Sequence, residues 1–237
     1  MYMKREFGVF VLCLTMICCI AQVTDASQAL PDSQDQTAGG HDSMYARLVP
    51  ADIKPSYKVF NDGMEGYDKL LAEHRIQNKR YLTLIDFTLS SNERRLWVID
   101  LDSLRIVQHS LVSHGKNSGG EYAVKFSNTP NSNMSSIGVF VTGTTYYGKH
   151  GESLYLEGVE AGINDNTRKR AIVMHGADYA TRDFANRYGR LGRSFGCPAL
   201  PPAKSTQIID TIKNRSCLYI YYPDKKYRST SKYIPRS

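Results

Sequence analysis

The chain has 237 residues, 41% of them hydrophobic, and its 30 Lys and Arg outnumber 23 Asp and Glu for a formal net charge of +7. That balance suits an acidic partner, but the basic residues are scattered and frame no nucleic-acid module, so nucleic acid is excluded and Arg168-Lys169-Arg170 reads as a solvated turn. Beyond the first segment no stretch approaches 18 consecutive apolar residues, which excludes a membrane-spanning body.

Residues 1–26 read as a signal peptide. Lys4 and Arg5 give a basic start, Phe7 to Val23 is apolar, and Ala26 and Ala29 offer small residues for cleavage. Cys18 and Cys19 follow Thr15-Met16-Ile17, which lacks the small residue expected before a lipidated cysteine. The expectation is an exported protein of the periplasm or cell envelope, with no stable membrane span once the leader is removed. Residues 27–45, rich in Asp, Gln, Ser and Gly, are expected to be a flexible polar spacer. Removing the leader leaves about 210 residues, enough for one domain, placed at 46–225, with a basic tail at 226–237.

Within the domain, Tyr67, Leu70, Leu71 and His74 fall at helical spacing and predict an amphipathic helix over 66–77. Short apolar runs at 81–87, 94–100 and 105–112, separated by turn residues, predict a meander of three antiparallel strands. Further strands are expected at 137–142, 154–159, 171–175 and 217–222. A helix over 203–213 follows Pro201-Pro202 and carries Ile208, Ile209 and Ile212 on its buried side. The fold class is therefore mainly β with flanking helices, a β-sandwich or open barrel in a single domain.

Of the five cysteines, Cys197 and Cys217 survive removal of the leader. A disulfide between them is one reading for an oxidising compartment. Against it, Cys217 lies in an apolar strand, whereas Cys197 sits between Gly196 and Pro198 in a loop. A thiol becomes nucleophilic as its thiolate and needs an imidazole, a cation or backbone N–H groups beside it. His175 stands 22 positions upstream, at the end of a predicted strand where Gly176 lets the chain turn away. Gly189, Gly192 and Gly196 permit a backbone that aims N–H groups at one point, the geometry of an oxyanion hole. Arg190 and Arg193 bring charge that would lower the thiol pKa or hold a carboxylate. Spacing alone leaves a satisfied strand-end histidine and an inert loop thiol equally open. The six histidines show no paired spacing and no CxxC occurs, so no metal is expected.

The stretch MHGADYATRDFANRYGRLGRSFGCPAL resembles the signature of the L,D-transpeptidases, the YkuD-type cysteine enzymes of bacterial peptidoglycan. HGKNSGG, KFSNTPNSNMSSIGVF, YYGKHGESLYLEG and RAIVMHGADY are similar to the branch called the murein L,D-transpeptidase catalytic domain family. The resemblance runs from about Tyr81 to Tyr222 and implies a YkuD-like fold. It implies Cys197 as the acylated nucleophile, His175 as its base, and Ser194 and Gly196 as shaping the nucleophile loop, with the N–H groups of Gly196 and Cys197 as oxyanion donors. Two departures stand out: Phe195 replaces a second histidine of the wider family, and Ala199 or Leu200 replaces an arginine, whose charge Arg193 or Arg190 would supply. Tyr146, Lys149, His150, Arg190 and Arg193 become candidate contacts to substrate, with a solvated hairpin as the alternative for YYGKHG. His114 and the segment SNTPNSNMSS are further candidates to line the cleft. The implied activity is transfer of a peptidoglycan stem tetrapeptide through a thioester to an amine, without cofactor. An L,D-carboxypeptidase or endopeptidase on the same scaffold, or a non-catalytic wall-binding module, are the alternatives.

Overall fold

The computed structural model describes residues 1–2 and 35–235. Apart from residues 1–2, the predicted leader lies outside the described residues, as does the first part of the predicted spacer.

The rest of the spacer differs from the expectation. Residues Asp35–Arg47 form helix α1, and Leu48 just beyond it is buried in the core. His41 ties α1 down, its Nε2 2.8 Å from Asp68 Oδ2 and its Nδ1 3.2 Å from Asn61 Oδ1. These few anchors outweigh a polar composition that suggests nothing to bury. Both acceptors belong to helix α2, Tyr57–Ala72, which starts nine residues before the predicted boundary, capped by Ser56 accepting from the Val59 N–H. It stops at Ala72 because His74 takes a left-handed φ of +54°. Val59, Phe60, Met64, Tyr67 and Leu70 form its buried stripe. Gly63 and Gly66, poor helix formers by propensity, are where the helix presses on the sheet: a Cβ on Gly63 would collide with Leu84 Cδ2, and one on Gly66 would come within 2.8 Å of Val139.

Eight strands build one mixed sheet. They are β1 (Tyr81–Asp86), β2 (Leu96–Asp100), β3 (Arg105–Ser110), β4 (Gly138–Gly148), β5 (Gly151–Gly158), β6 (Val173–Gly176), β7 (Ala199–Leu200) and β8 (Cys217–Tyr221), in the order β3-β2-β1-β8-β4-β5-β6-β7. The β1-β2-β3 meander is antiparallel, as its turns predict. Parallel pairing occurs twice, β1 with β8 and β6 with β7. The two edges nearly meet, because Ser113, just past β3, donates its N–H to the Ala199 carbonyl on β7 at 2.8 Å. Of the two architectures allowed by the sequence, the chain adopts the barrel, open except at this bridge, rather than a sandwich.

Helix α3 (Arg182–Tyr188) and helix α4 (Pro202–Ile212) flank β7, and α4 buries Ile208, Ile209 and Ile212 as its spacing predicts. The expected tail is also partly folded. Helix α5 (Lys225–Thr230) buries Tyr227 and Arg228: Arg228 donates to the buried Asp62 carboxylate at 2.7 Å, and Tyr227 donates its hydroxyl to Glu160 at 3.0 Å. Two buried acids thus hold a segment whose exposed lysines make it read as a solvated end. Cys217 is wholly buried on β8, and it and Cys197 are both free thiols, so the disulfide reading fails.

Among the described residues no helix is long and apolar enough to cross a membrane. We predict that Gly63→Val lowers stability by about 2 kcal/mol or more through overpacking against Leu84. Urea denaturation measures it, and an unchanged midpoint would show that the helix has room to move.

Candidate active site

Strand β6 leaves a tight turn through Ala171, whose φ of +54° is left-handed and strained for a residue with a Cβ. It then pairs with β5 on one side, Ser153 opposite His175, and with β7 on the other, His175 beside Ala199 and Gly176 beside Leu200. The β7 pairing is parallel, so stepping back two residues on each chain sets Val173 beside Cys197. The hydrogen bonding agrees, since the Val173 N–H points at Cys197 Sγ across 3.5 Å and Sγ lies 3.8 Å from the Ala171 carbonyl oxygen. Val173 and His175, two apart on a strand, share a face. Cys197 and His175 accordingly line one cavity of about 420 Å³.

His175 is buried, and its Nδ1 lies 2.9 Å from the carbonyl oxygen of Gly176. Only a protonated Nδ1 can donate there, which leaves the Nε2 lone pair of the neutral ring for other work. The imidazole of His150, at the tip of the β4-β5 hairpin, stacks on it with centroids 4.4 Å apart. Burial first, then the neighbouring His150 and Lys149, hold the His175 pKa below its usual value, with the Gly176 carbonyl opposing them. Burial pushes the Cys197 thiol up. The Val173 N–H and then the Arg170 guanidinium pull it back.

The loop before the cysteine is stapled by one hydroxyl. Ser194 Oγ donates to the Cys197 carbonyl at 2.6 Å and accepts the Gly196 N–H at 3.0 Å. Gly196 has φ +129°, and a Cβ there would come within 2.7 Å of Ile172 and 2.8 Å of the Met134 carbonyl, so only glycine fits. Its carbonyl accepts from Ser135 Oγ at 3.1 Å. Ser194 and Gly196 both fix the shape of this loop, and the Gly196 N–H is spent on Ser194 and is no free oxyanion donor.

A sequence profile of the L,D-transpeptidase catalytic domain matches residues 52–221, most of the chain. The chain belongs to the L,D-transpeptidase catalytic domain family. Among solved structures it is similar to an L,D-transpeptidase from Mycobacterium smegmatis, at 13% identity and TM-score 0.38, over 60% of this chain and 59% of that one. It is also similar to an L,D-transpeptidase from Xylanimonas cellulosilytica, at 15% identity and TM-score 0.34, over 58% of each chain. The chain thus spans under two thirds of the length of both. No curated protein matches it.

The transpeptidase domain places the remaining sequence candidates unevenly. Tyr146, Lys149, His150 and Arg193 line the cavity with Cys197, and YYGKHG is indeed a hairpin, but one whose tip overhangs the site. Arg190 does not line it: its Nη1 is turned onto the Leu191 carbonyl at 2.8 Å. His114 is another correction, since it is buried outside the cavity, accepting at Nδ1 from Arg95 at 2.8 Å. Burial and then the Arg95 charge push its pKa down to about 3, so it stays neutral. Phe195 is 67% exposed and lies under Lys116 Nζ, 4.5 Å from the ring centroid.

Sequence reasoning missed Arg170 and Tyr179, both on the cavity wall. Instead of a solvated turn, Arg170 is a half-buried fork that gathers the SNTPNSNMSS segment. Tyr179, its pKa pushed up to about 12 by burial, keeps its hydroxyl proton at neutral pH. Among the described residues no group of three His, Cys, Asp or Glu could hold a metal.

Ser194→Ala strands the Gly196 N–H without its acceptor. We expect a loss of about 1–3 kcal/mol, with faster amide exchange at Gly196 and little change in β1 or β8. Unaltered exchange at Gly196 would refute the staple.

Proposed function

We propose that this protein is an exported L,D-transpeptidase that carries a peptidoglycan stem on Cys197 as a thioester and passes it to an amine. Family membership supports the reaction class. The observation that carries the site assignment is the pairing of β6 with β7, which sets a neutral His175 with an open Nε2 and the Cys197 thiol on one cavity wall.

In this mechanism the thiol proton passes to His175 Nε2 as sulfur attacks the carbonyl after the third residue of a tetrapeptide stem. The carbonyl electron pair moves onto oxygen, with the Cys197 N–H and the protonated Tyr179 hydroxyl as donors for the oxyanion. Collapse breaks the peptide bond, the departing D-amino acid takes the proton from the imidazolium, and the thioester remains. An acceptor amine gives its proton to His175 as it attacks the thioester carbonyl, collapse re-forms the carbonyl and breaks the C–S bond, and the imidazolium returns the proton to the departing sulfur to restore the thiol. Lys149 and Arg193 suit the carboxylates of a stem peptide. With Phe195 unable to transfer protons, His175 serves both half-reactions.

A carbapenem should leave a mass adduct on the Cys197 peptide. Cys197→Ala should abolish it, and His175→Ala should slow it by about 10²–10⁴-fold. Purified tetrapeptide fragments should yield cross-linked dimers; exclusively shortened monomers would mean hydrolysis, and absence of any adduct would leave a non-catalytic module.

The acid limb of acylation has a definite sign. The base works when neutral, and burial lowers the His175 pKa, so activity should fall only as pH drops through a value below 6.5. A limb centred above 6.5 would contradict the assignment.

A further inference from the structure

Arg170 is held in a way that a structural tie does not require. Its Nη1 donates to the Ser127 carbonyl at 2.6 Å and to Ser136 Oγ at 2.5 Å, and its Nη2 to the Met134 carbonyl at 2.5 Å and to Ser132 Oγ at 3.1 Å. All four acceptors are neutral, and among the described residues no carboxylate pairs with this guanidinium. Its Nε is buried without a partner. A cation taken out of water without a counter-ion is costly, and hydrogen bonds to neutral acceptors orient it without cancelling its field.

That field falls on the nucleophile. A Cβ built on Gly196 would lie 3.4 Å from Arg170 Nη2, so the guanidinium packs against the residue preceding Cys197, and the next residue, Ala171, presents its carbonyl to Sγ. The left-handed turn at Ala171 carries the chain from Arg170 into β6, a strained conformation that persists because the surrounding packing holds it. We propose that Arg170 is the fixed counter-charge of the Cys197 thiolate, a positioning residue locked by the serine-rich segment 127–136 so that its positive charge meets negative charge only when the sulfur ionises.

The inference rests on the reading of Cys197 as the nucleophile. Burial works against the thiolate, and the half-buried Arg170 guanidinium opposes that effect. The other charged or titratable groups facing the sulfur's cavity are His175 on β6, Tyr146 on β4, Lys149 and His150 on the exposed hairpin tip, Tyr179, and the exposed Arg193. None of these is tied by four hydrogen bonds.

The test is the pH dependence of iodoacetamide alkylation at the Cys197 peptide of the full protein, with buried Cys217 as an internal non-reacting control. It needs no turnover, so it is independent of whether the transpeptidase reading survives. Arg170→Gln keeps hydrogen-bonding capacity and removes the charge; it should raise the thiol pKa by about one unit, slowing alkylation at pH 7 about tenfold. Arg170→Lys keeps the charge and loses the fork; it should stay within about 0.3 units of the parent. Equal shifts in both variants, or no shift in Arg170→Gln, would overturn the proposal. If Arg170→Gln fails to fold, Arg170→Lys decides alone, an upward shift of a full unit refuting it; loss of the fold in both would make Arg170 a strut and refute it too.

Discussion

Two parallel residue pairs, His175 with Ala199 and Gly176 with Leu200, carry more of this structure than their number suggests. They attach the shortest strand to the sheet, and that strand accepts the Ser113 N–H that all but closes the barrel. The same register fixes where Cys197 and His175 stand relative to each other across the paired segments. A slip by one residue would turn every side chain of β7 to the opposite face and carry Cys197 away from Val173.

The electrostatics of the cavity favour an uncharged resting pair. Burial acts in opposite directions on the two groups, raising the thiol and lowering the imidazole, and the two effects together disfavour a standing thiolate–imidazolium pair. In the proposed reaction, charge would appear only during attack, in a cavity already lined by cations and by N–H and O–H donors. The stack of His150 on His175 has a related effect, because two protonated rings 4.4 Å apart would repel. A second imidazole therefore reaches the site from the β4-β5 hairpin, although the position before Gly196 carries Phe195.

Local patterns made much of the fold legible. The β1-β2-β3 meander follows from alternating apolar runs and turn residues, α4 from its isoleucines and preceding prolines, and β8 from an unbroken apolar run. The start of α2 escaped because the expectation rested on the spacing of Tyr67, Leu70, Leu71 and His74 alone, while the turns before it carry Gly63 and, at its edge, Gly66 at points of close approach to the sheet. Strand β7 is two residues long and has no periodicity to detect; only its partners define it. Convergence of His175 and Cys197 on one wall was readable from the resemblance, while Arg190 and Arg170 exchanged roles because sequence distance from the cysteine says little about which guanidinium the fold turns inward. The burial of His114 against Arg95 depends on a contact between separate segments, which no local pattern encodes.

The two residues ahead of Cys197 live under opposite rules. At 196 the backbone conformation and the crowding by Ile172 and the Met134 carbonyl admit nothing larger than hydrogen, whereas the ring at 195 projects into solvent. Variation at the first position is forbidden by sterics and at the second is nearly free of folding cost. The loop is thus a rigid frame with one interchangeable slot, through which the rim of the cavity can be retuned toward different ligands without disturbing the sulfur behind it.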